Sequence, residues 1–333
     1  MVDHPLTFSM RRNSIVYGDV NTFILAPLTR GVAYIQNGFF ICMGAHASGL
    51  RGIAPGISFT QKAEGTLQEW VTQVFGANDI KQMAREPGEC SQLLWRPGMD
   101  ASVDILKYLV PDISIINESG VALSILLSRL EDVAQFIQPD ARNLSTFSHQ
   151  LRELLILACT EVETSLRGVL TTSNPSLTSE SRLTTNDFYN LCEPLHLREF
   201  SLELRHYPSL PKLRPFLNWD KARPTKSLGW YDAYNAVKHD RARALQKATL
   251  QHCIEALAAA VAVYCAQFSI PVQGDWMHEP GFELNDWFRV ELVEPDPTLF
   301  YVPPVKIPND RAPTFWPFDG RNTDTWQPQS LKI

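Results

Sequence analysis

Between Asn117 and Pro271 apolar residues return at helical spacing in three separate stretches, and no other feature of the sequence limits the architecture as strongly. The first carries Leu123, Leu126, Leu127, Leu130, Val133 and Ile137 and is closed by Pro139, whose ring cannot continue a helix. The second runs from about Leu144 to Leu170, with Leu151, Leu154, Leu155, Ala158, Val162, Leu166 and Val169 on one face. The third starts near Trp230, with Thr225 or Ser227 as the expected cap, and continues through Leu250, Ile254, Leu257, Val261, Cys265 and Phe268 until Pro271. Helices with apolar stripes of this length must bury them against one another, so the spacing predicts a helical bundle over 117–270.

The flanking regions read differently. From Ser14 to about Gly56, short apolar runs such as Thr22 to Leu25 and Gly38 to Cys42 alternate with Gly and Pro, which predicts short strands and turns, and a helix is expected at Thr66 to Val74. Residues 1–116 are therefore expected to form an N-terminal α/β region, making the whole chain α+β. The segment 171–227 is Ser/Thr-rich and then Pro-rich, with a helical stretch near Asp187 to Glu199 interrupted by Pro194. It reads as an excursion that packs through Tyr207, Leu213, Phe216 and Trp219. Residues 271–333 hold ten of the 23 prolines, so only Phe288 to Val293 and Leu299 to Val302 suggest strands. Trp276, Trp287, Trp316 and Trp326 give this tail enough aromatic surface to pack back on the fold.

Composition narrows the function classes. The 333 residues are 44% hydrophobic and 20% charged, as in ordinary globular chains, and the net charge of -6 argues against a surface built throughout to hold nucleic acid. The six cysteines are far apart with no Cys-x-x-Cys pair, which predicts reduced core thiols and no zinc site or disulfide framework. Met1 to Arg12 lacks the basic-then-apolar run of a signal peptide. No apolar run reaches the ~18 residues of a membrane span. A cytoplasmic location without membrane partners is expected.

The chemistry-bearing stretch is WYDAYNAVKHDR, Trp230 to Arg241. On a helix Asn235 and His239 are four apart and Lys238 is three from Asn235, so an amide, an ammonium and an imidazole project from neighbouring positions. The plain alternative is a solvated helix turn, with His239 bonded to a carboxylate such as Glu161 or Glu163.

A long amphipathic helix with Glu161 and Glu163, a variable excursion, and Tyr-Asn-x-x-Lys-His-x-Arg opening a final apolar helix together resemble HEPN domains. The resemblance covers about 118–270 and implies an antiparallel helical bundle. Many HEPN proteins are metal-independent endoribonucleases whose motif is an arginine, a polar residue, three variable residues and a histidine. Asn235 matches the polar position and His239 the histidine, but Tyr234 stands where the family has arginine. The resemblance assigns His239 as general base on a ribose 2′-hydroxyl, Asn235 as a positioning group, Lys238 or Arg241 as the phosphate-holding cation, and Glu161 and Tyr234 as supporting residues. It further implies a homodimer pooling two motifs, RNA as substrate, a toxin or anti-phage role with a protein partner or antitoxin, and no cofactor or metal. The competing expectation is a non-catalytic HEPN-like dimerisation or binding module, because fold alone does not settle chemistry.

Other motifs are weaker. The glycines of Gly44 to Gly52 lack the Lys-Ser/Thr ending of a P-loop and read as a turn. His278-Glu279 is followed by Pro280 and fails the helical two-histidine metal pattern. Arg129, Arg152 and Arg167 each have a carboxylate nearby (Glu131, Glu153, Glu163) and read as ordinary surface pairs.

Overall fold

The structure is a computed structural model that describes residues 4–10, 14–17, 21–24, 30–46, 49–52, 63–98, 108–110, 112–178, 180–270, 282–302, 304 and 326–333. It is α+β, with helices and antiparallel sheets, and its contacts divide it into two units: 1–90 with 96–108 and 296–329, and 91–95 with 109–295 and 330–333. Trp276, Trp316 and His278-Glu279 lie outside the described residues.

The first unit is built on a five-stranded antiparallel sheet. Its strands are β1 (Leu6–Ser9), β4 (Arg30–Gln36), β5 (Phe39–His46), β6 (Gly49–Gly52) and β7 (Asn78–Gln82), in the order β6-β5-β4-β1-β7; β2 (Ser14–Tyr17) and β3 (Asn21–Ile24) pair separately. Asn37 and Gly38, both at positive φ, close the β4–β5 hairpin, because a two-residue turn of that hand needs residues that tolerate the left-handed region. Gly44 to Gly52, read above as a turn, instead supplies the end of β5 and all of β6. The helix expected at Thr66 to Val74 is α1 (Leu67–Phe75). Thr66 and Glu69 form its capping box, and Gly76 ends it in the left-handed region. Trp70 of α1 stacks on Phe40 at 4.9 Å, and Phe75 meets Phe8, so α1 covers one face of the sheet. On the other face Val32, Tyr34 and Ile41 pack with Met83, Phe300 and Val302. Residues 299–302, expected as a strand, form a 3-10 turn at Pro297–Leu299 followed by irregular chain. β8 (Glu89–Ser91) pairs with β11 (Gln327–Gln329).

The second unit holds the helices. α2 (Ser114–Ala134) begins before Asn117 and stops short of Ile137, and α3 (His149–Ser173) starts where the Ser148 hydroxyl accepts the Leu151 N–H. The excursion contains α4 (Thr185–Tyr189) and a strand that periodicity did not suggest, β9 (Phe200–Leu204). That strand pairs with β10 (Phe288–Leu292), which was expected. Phe216 and Trp219 are buried as anticipated, whereas Tyr207 and Leu213 are half-buried.

The helix expected to run unbroken from Trp230 to Phe268 is three pieces: α5 (Gly229–His239), α6 (Arg241–Ala244) and α7 (Leu250–Phe268). Neither Thr225 nor Ser227 caps α5; the Ser227 hydroxyl accepts the Asp220 N–H, and the Thr225 hydroxyl donates to Thr185. The break has local causes. The Asp240 carboxylate accepts the Arg243 N–H and Thr249 accepts the His252 N–H, so each opens a new helix.

α3 packs against α2, α5 and α7. Residues 144–146 and 250–251 share backbone hydrogen bonds, so α3 and α7 begin side by side and run in the same direction. α5 runs opposite to α3, since Val237 lies by Arg152 while Tyr231 and Tyr234 lie by Glu163. α7 is buried almost all round, from Leu250 through Phe268, and its alanines at 256, 258–260, 262 and 266 let neighbouring helices approach closely. The last helix, α8, is Phe282–Trp287.

Candidate functional site

α5 owes its placement to its first turn. Trp230 is buried, its indole N–H donates to the Pro215 carbonyl at 3.1 Å, and Phe216 meets its ring edge-on. With Trp230, Ala233 and Val237 buried, the helical period turns Tyr231 and Tyr234, three residues apart, toward α3. There both hydroxyls donate to one carboxylate: Tyr231 to Glu163 Oε1 at 2.5 Å and Tyr234 to Glu163 Oε2 at 3.2 Å. One turn further, Lys238 Nζ donates to the Tyr234 hydroxyl at 2.7 Å and lies 4.8 Å from the centre of its ring. Glu163, Tyr231, Tyr234 and Lys238 thus form one hydrogen-bonded chain from the interior to the surface.

Electrostatics follow from that arrangement. Burial, with the Glu163 bond second, pushes the Tyr231 hydroxyl well above the ordinary tyrosine range, and burial likewise raises Tyr234. Both stay protonated and act as donors. The bond to Tyr234 raises Lys238, so its ammonium is firmly held.

Of the residues expected at the site, Tyr234 and Lys238 belong to this chain of bonds. Asn235 is half-buried and its side-chain amide donates to the Tyr231 carbonyl at 2.9 Å. His239, the last residue of α5, is exposed and makes no hydrogen bond among the described residues. Arg241 opens α6, and its side chain lies outside the described residues. Glu161 does not support His239: it accepts the Ser165 hydroxyl at 3.2 Å, and burial raises its pKa. The supporting carboxylate is Glu163, two residues on, because 161 and 163 project from opposite sides of α3. The surface-pair reading of Arg152 and Arg167 also needs correcting. Arg152 donates to the Val237 carbonyl at the end of α5, where a cation complements the helix dipole, and Arg167 donates to the Ser181 carbonyl.

Tyr231 was missing from the expected site. Its spacing from Tyr234 is visible in sequence, but pairing with Glu163, 68 residues away, is not. All six cysteines are buried thiols, with burial pushing Cys90 up to about 12 and Cys192 up to about 11. Among the described residues no group of three or more His, Cys, Asp or Glu is placed to hold a metal ion, and no helix is long and apolar enough to cross a membrane. No protein-family model, curated protein or solved structure matches the chain.

Proposed function

We propose that the helical unit is a HEPN-like, metal-independent endoribonuclease module, working as a homodimer in the cytoplasm as a toxin or anti-phage effector. The observation that carries this reading is the Lys238 ammonium. Tyr234 stands where the family has its arginine, yet its hydroxyl holds Lys238 at 2.7 Å and leaves that side chain exposed beside His239. A tyrosine–lysine pair can supply the fixed cation that the arginine supplies elsewhere, with two ammonium protons left for phosphate oxygens.

In this reaction His239 takes the proton of the ribose 2′-hydroxyl and the 2′-oxygen attacks phosphorus. The bond from phosphorus to the 5′-oxygen breaks, that oxygen takes up a proton, and a 2′,3′-cyclic phosphate remains. Lys238 offsets the charge that builds on the phosphoryl oxygens. The second copy in the dimer contributes its own His239, and a protein partner or antitoxin restrains the activity.

A second reading, a non-catalytic dimerisation or binding module, is favoured by Asn235, whose amide is spent on the Tyr231 carbonyl within its own helix. Structured RNA incubated in EDTA with the parent, His239→Ala and Lys238→Met separates the two. Cleavage by the parent, with cyclic phosphate ends and a rate about 10²-fold or more lower in His239→Ala, is expected. No cleavage by any of the three proteins, or equal cleavage by parent and His239→Ala, rules out the catalytic role and leaves the binding module.

A further inference from the structure

A cleft on the helical unit, whose lining does not include His239, has its own chemistry. The last register pair of the β9–β10 ribbon is Phe288 with Leu204, and one more backbone bond, from Arg205 N–H to the Trp287 carbonyl at 2.9 Å, extends it. The residues just past that bond, His206-Tyr207 on one strand and Asp286-Trp287 on the other, therefore emerge side by side. They face α2, which presents Ser128, Glu131 and Gln135 along one edge. The cleft between them is open to solvent and has a volume of about 630 Å³. That lies within the roughly 300–1,000 Å³ of small-ligand sites.

Its lining is unusual in what it combines. Trp287 lies nearly parallel to Tyr207, with ring centres 6.3 Å apart, and His206 meets Trp287 edge-on at 6.3 Å. Two carboxylates, Glu131 and Asp286, open into the same space, and among the described residues no lysine or arginine lines it. Neither carboxylate makes an ion pair among the described residues. Aromatic faces attract cations through their quadrupole, and carboxylates add net negative charge, so such a wall favours a positively charged organic group over a neutral or anionic one. A nucleic acid backbone, by contrast, would meet like charge here.

We propose that this cleft between α2 and the end of the β9–β10 ribbon is a binding site for a small organic cation of the quaternary ammonium type. The aromatic rings hold the methylated head, and Glu131 and Asp286 supply the counter-charge. The cleft's lining includes none of Asn235, Lys238, His239 and Arg241.

Calorimetric titration of the full chain with choline, against its neutral isostere 3,3-dimethyl-1-butanol, tests the assignment. The expected result is millimolar binding of choline, at least about fivefold tighter than the isostere. Trp287→Leu abolishes that preference, and Glu131→Gln with Asp286→Asn weakens choline but not the isostere. Ser128→Arg sets a cation on the α2 wall of the cleft and leaves every ribbon residue unchanged, so it weakens choline binding even if Trp287→Leu folds poorly. Absence of choline binding, equal binding of both compounds, or choline binding unchanged in Ser128→Arg overturns the proposal.

Discussion

Tyr234 shows at the scale of one residue how a substitution in a motif redirects its use. A tyrosine cannot be a cation, but its hydroxyl both donates to Glu163 and accepts from Lys238, so it joins a half-buried carboxylate to a surface ammonium. The same geometry sets a pH dependence. Tyr231 and Tyr234 hold their protons more tightly folded than unfolded, so the stability they contribute is fully present below the unfolded tyrosine pKa, about 10, and is lost as pH rises through the raised folded values. Urea titrations are expected to show stability falling steeply above about pH 10, and Tyr231→Phe to flatten that fall. At neutral pH the same variant leaves Glu163 with one donor fewer and is expected to lose about 1–2 kcal/mol. An unchanged alkaline limb in Tyr231→Phe would show that neither burial nor the carboxylate holds this proton more tightly in the folded state.

Among elements, the break between α5 and α7 matters more than either helix alone. Apolar spacing continues across it, and so a single helix from Trp230 to Phe268 was the natural expectation. Asp240 and Thr249 are good caps that are indifferent interior residues, and at each the side chain satisfies an amide at the start of a new helix. The break lets α5 run against α3 while α7 runs with it, and it leaves His239 at an exposed helix end. Thr249 also sits where the chain before α3 meets the start of α7, bridged to Phe147. Thr249→Ala is expected to lower stability by about 1 kcal/mol, read as a reduced urea midpoint with unchanged slope. A loss indistinguishable from zero would mean that the pairing of residues 144–146 with 250–251 sets the start of α7 without the cap.

At the scale of the molecule, charge limits how RNA can be held. With a net charge of -6, and with Lys238 and Arg241 as the cations proposed to hold phosphate, binding would rest on a small number of phosphate contacts. Each phosphate neutralised adds a term of about 0.7 to the salt slope for single strands. Two or three contacts thus predict that affinity for single-stranded RNA falls by roughly sevenfold to twentyfold between about 50 and 200 mM salt. A much steeper slope by fluorescence anisotropy would reveal a basic surface beyond α5.

The sequence by itself determined the elements whose signals are local. Helical periodicity marked α2 and α3, a helix was expected at Thr66 to Val74 where α1 lies, and the apolar run at Phe288 marked β10. It also placed Tyr234, Asn235, Lys238 and His239 on neighbouring turns of one helix, because a helix repeats every 3.6 residues wherever it lies. Only the tertiary structure decided which carboxylate Tyr234 meets and where the final helix breaks. It alone decided that residues 200–204 form a strand, since a strand needs a partner, and that partner lies more than eighty residues away in β10. Glu161 and Glu163 look alike in sequence; burial on one side of α3 and two tyrosines on the other separate them. Such choices depend on contacts between distant segments, which leave no period or spacing in the chain that makes them.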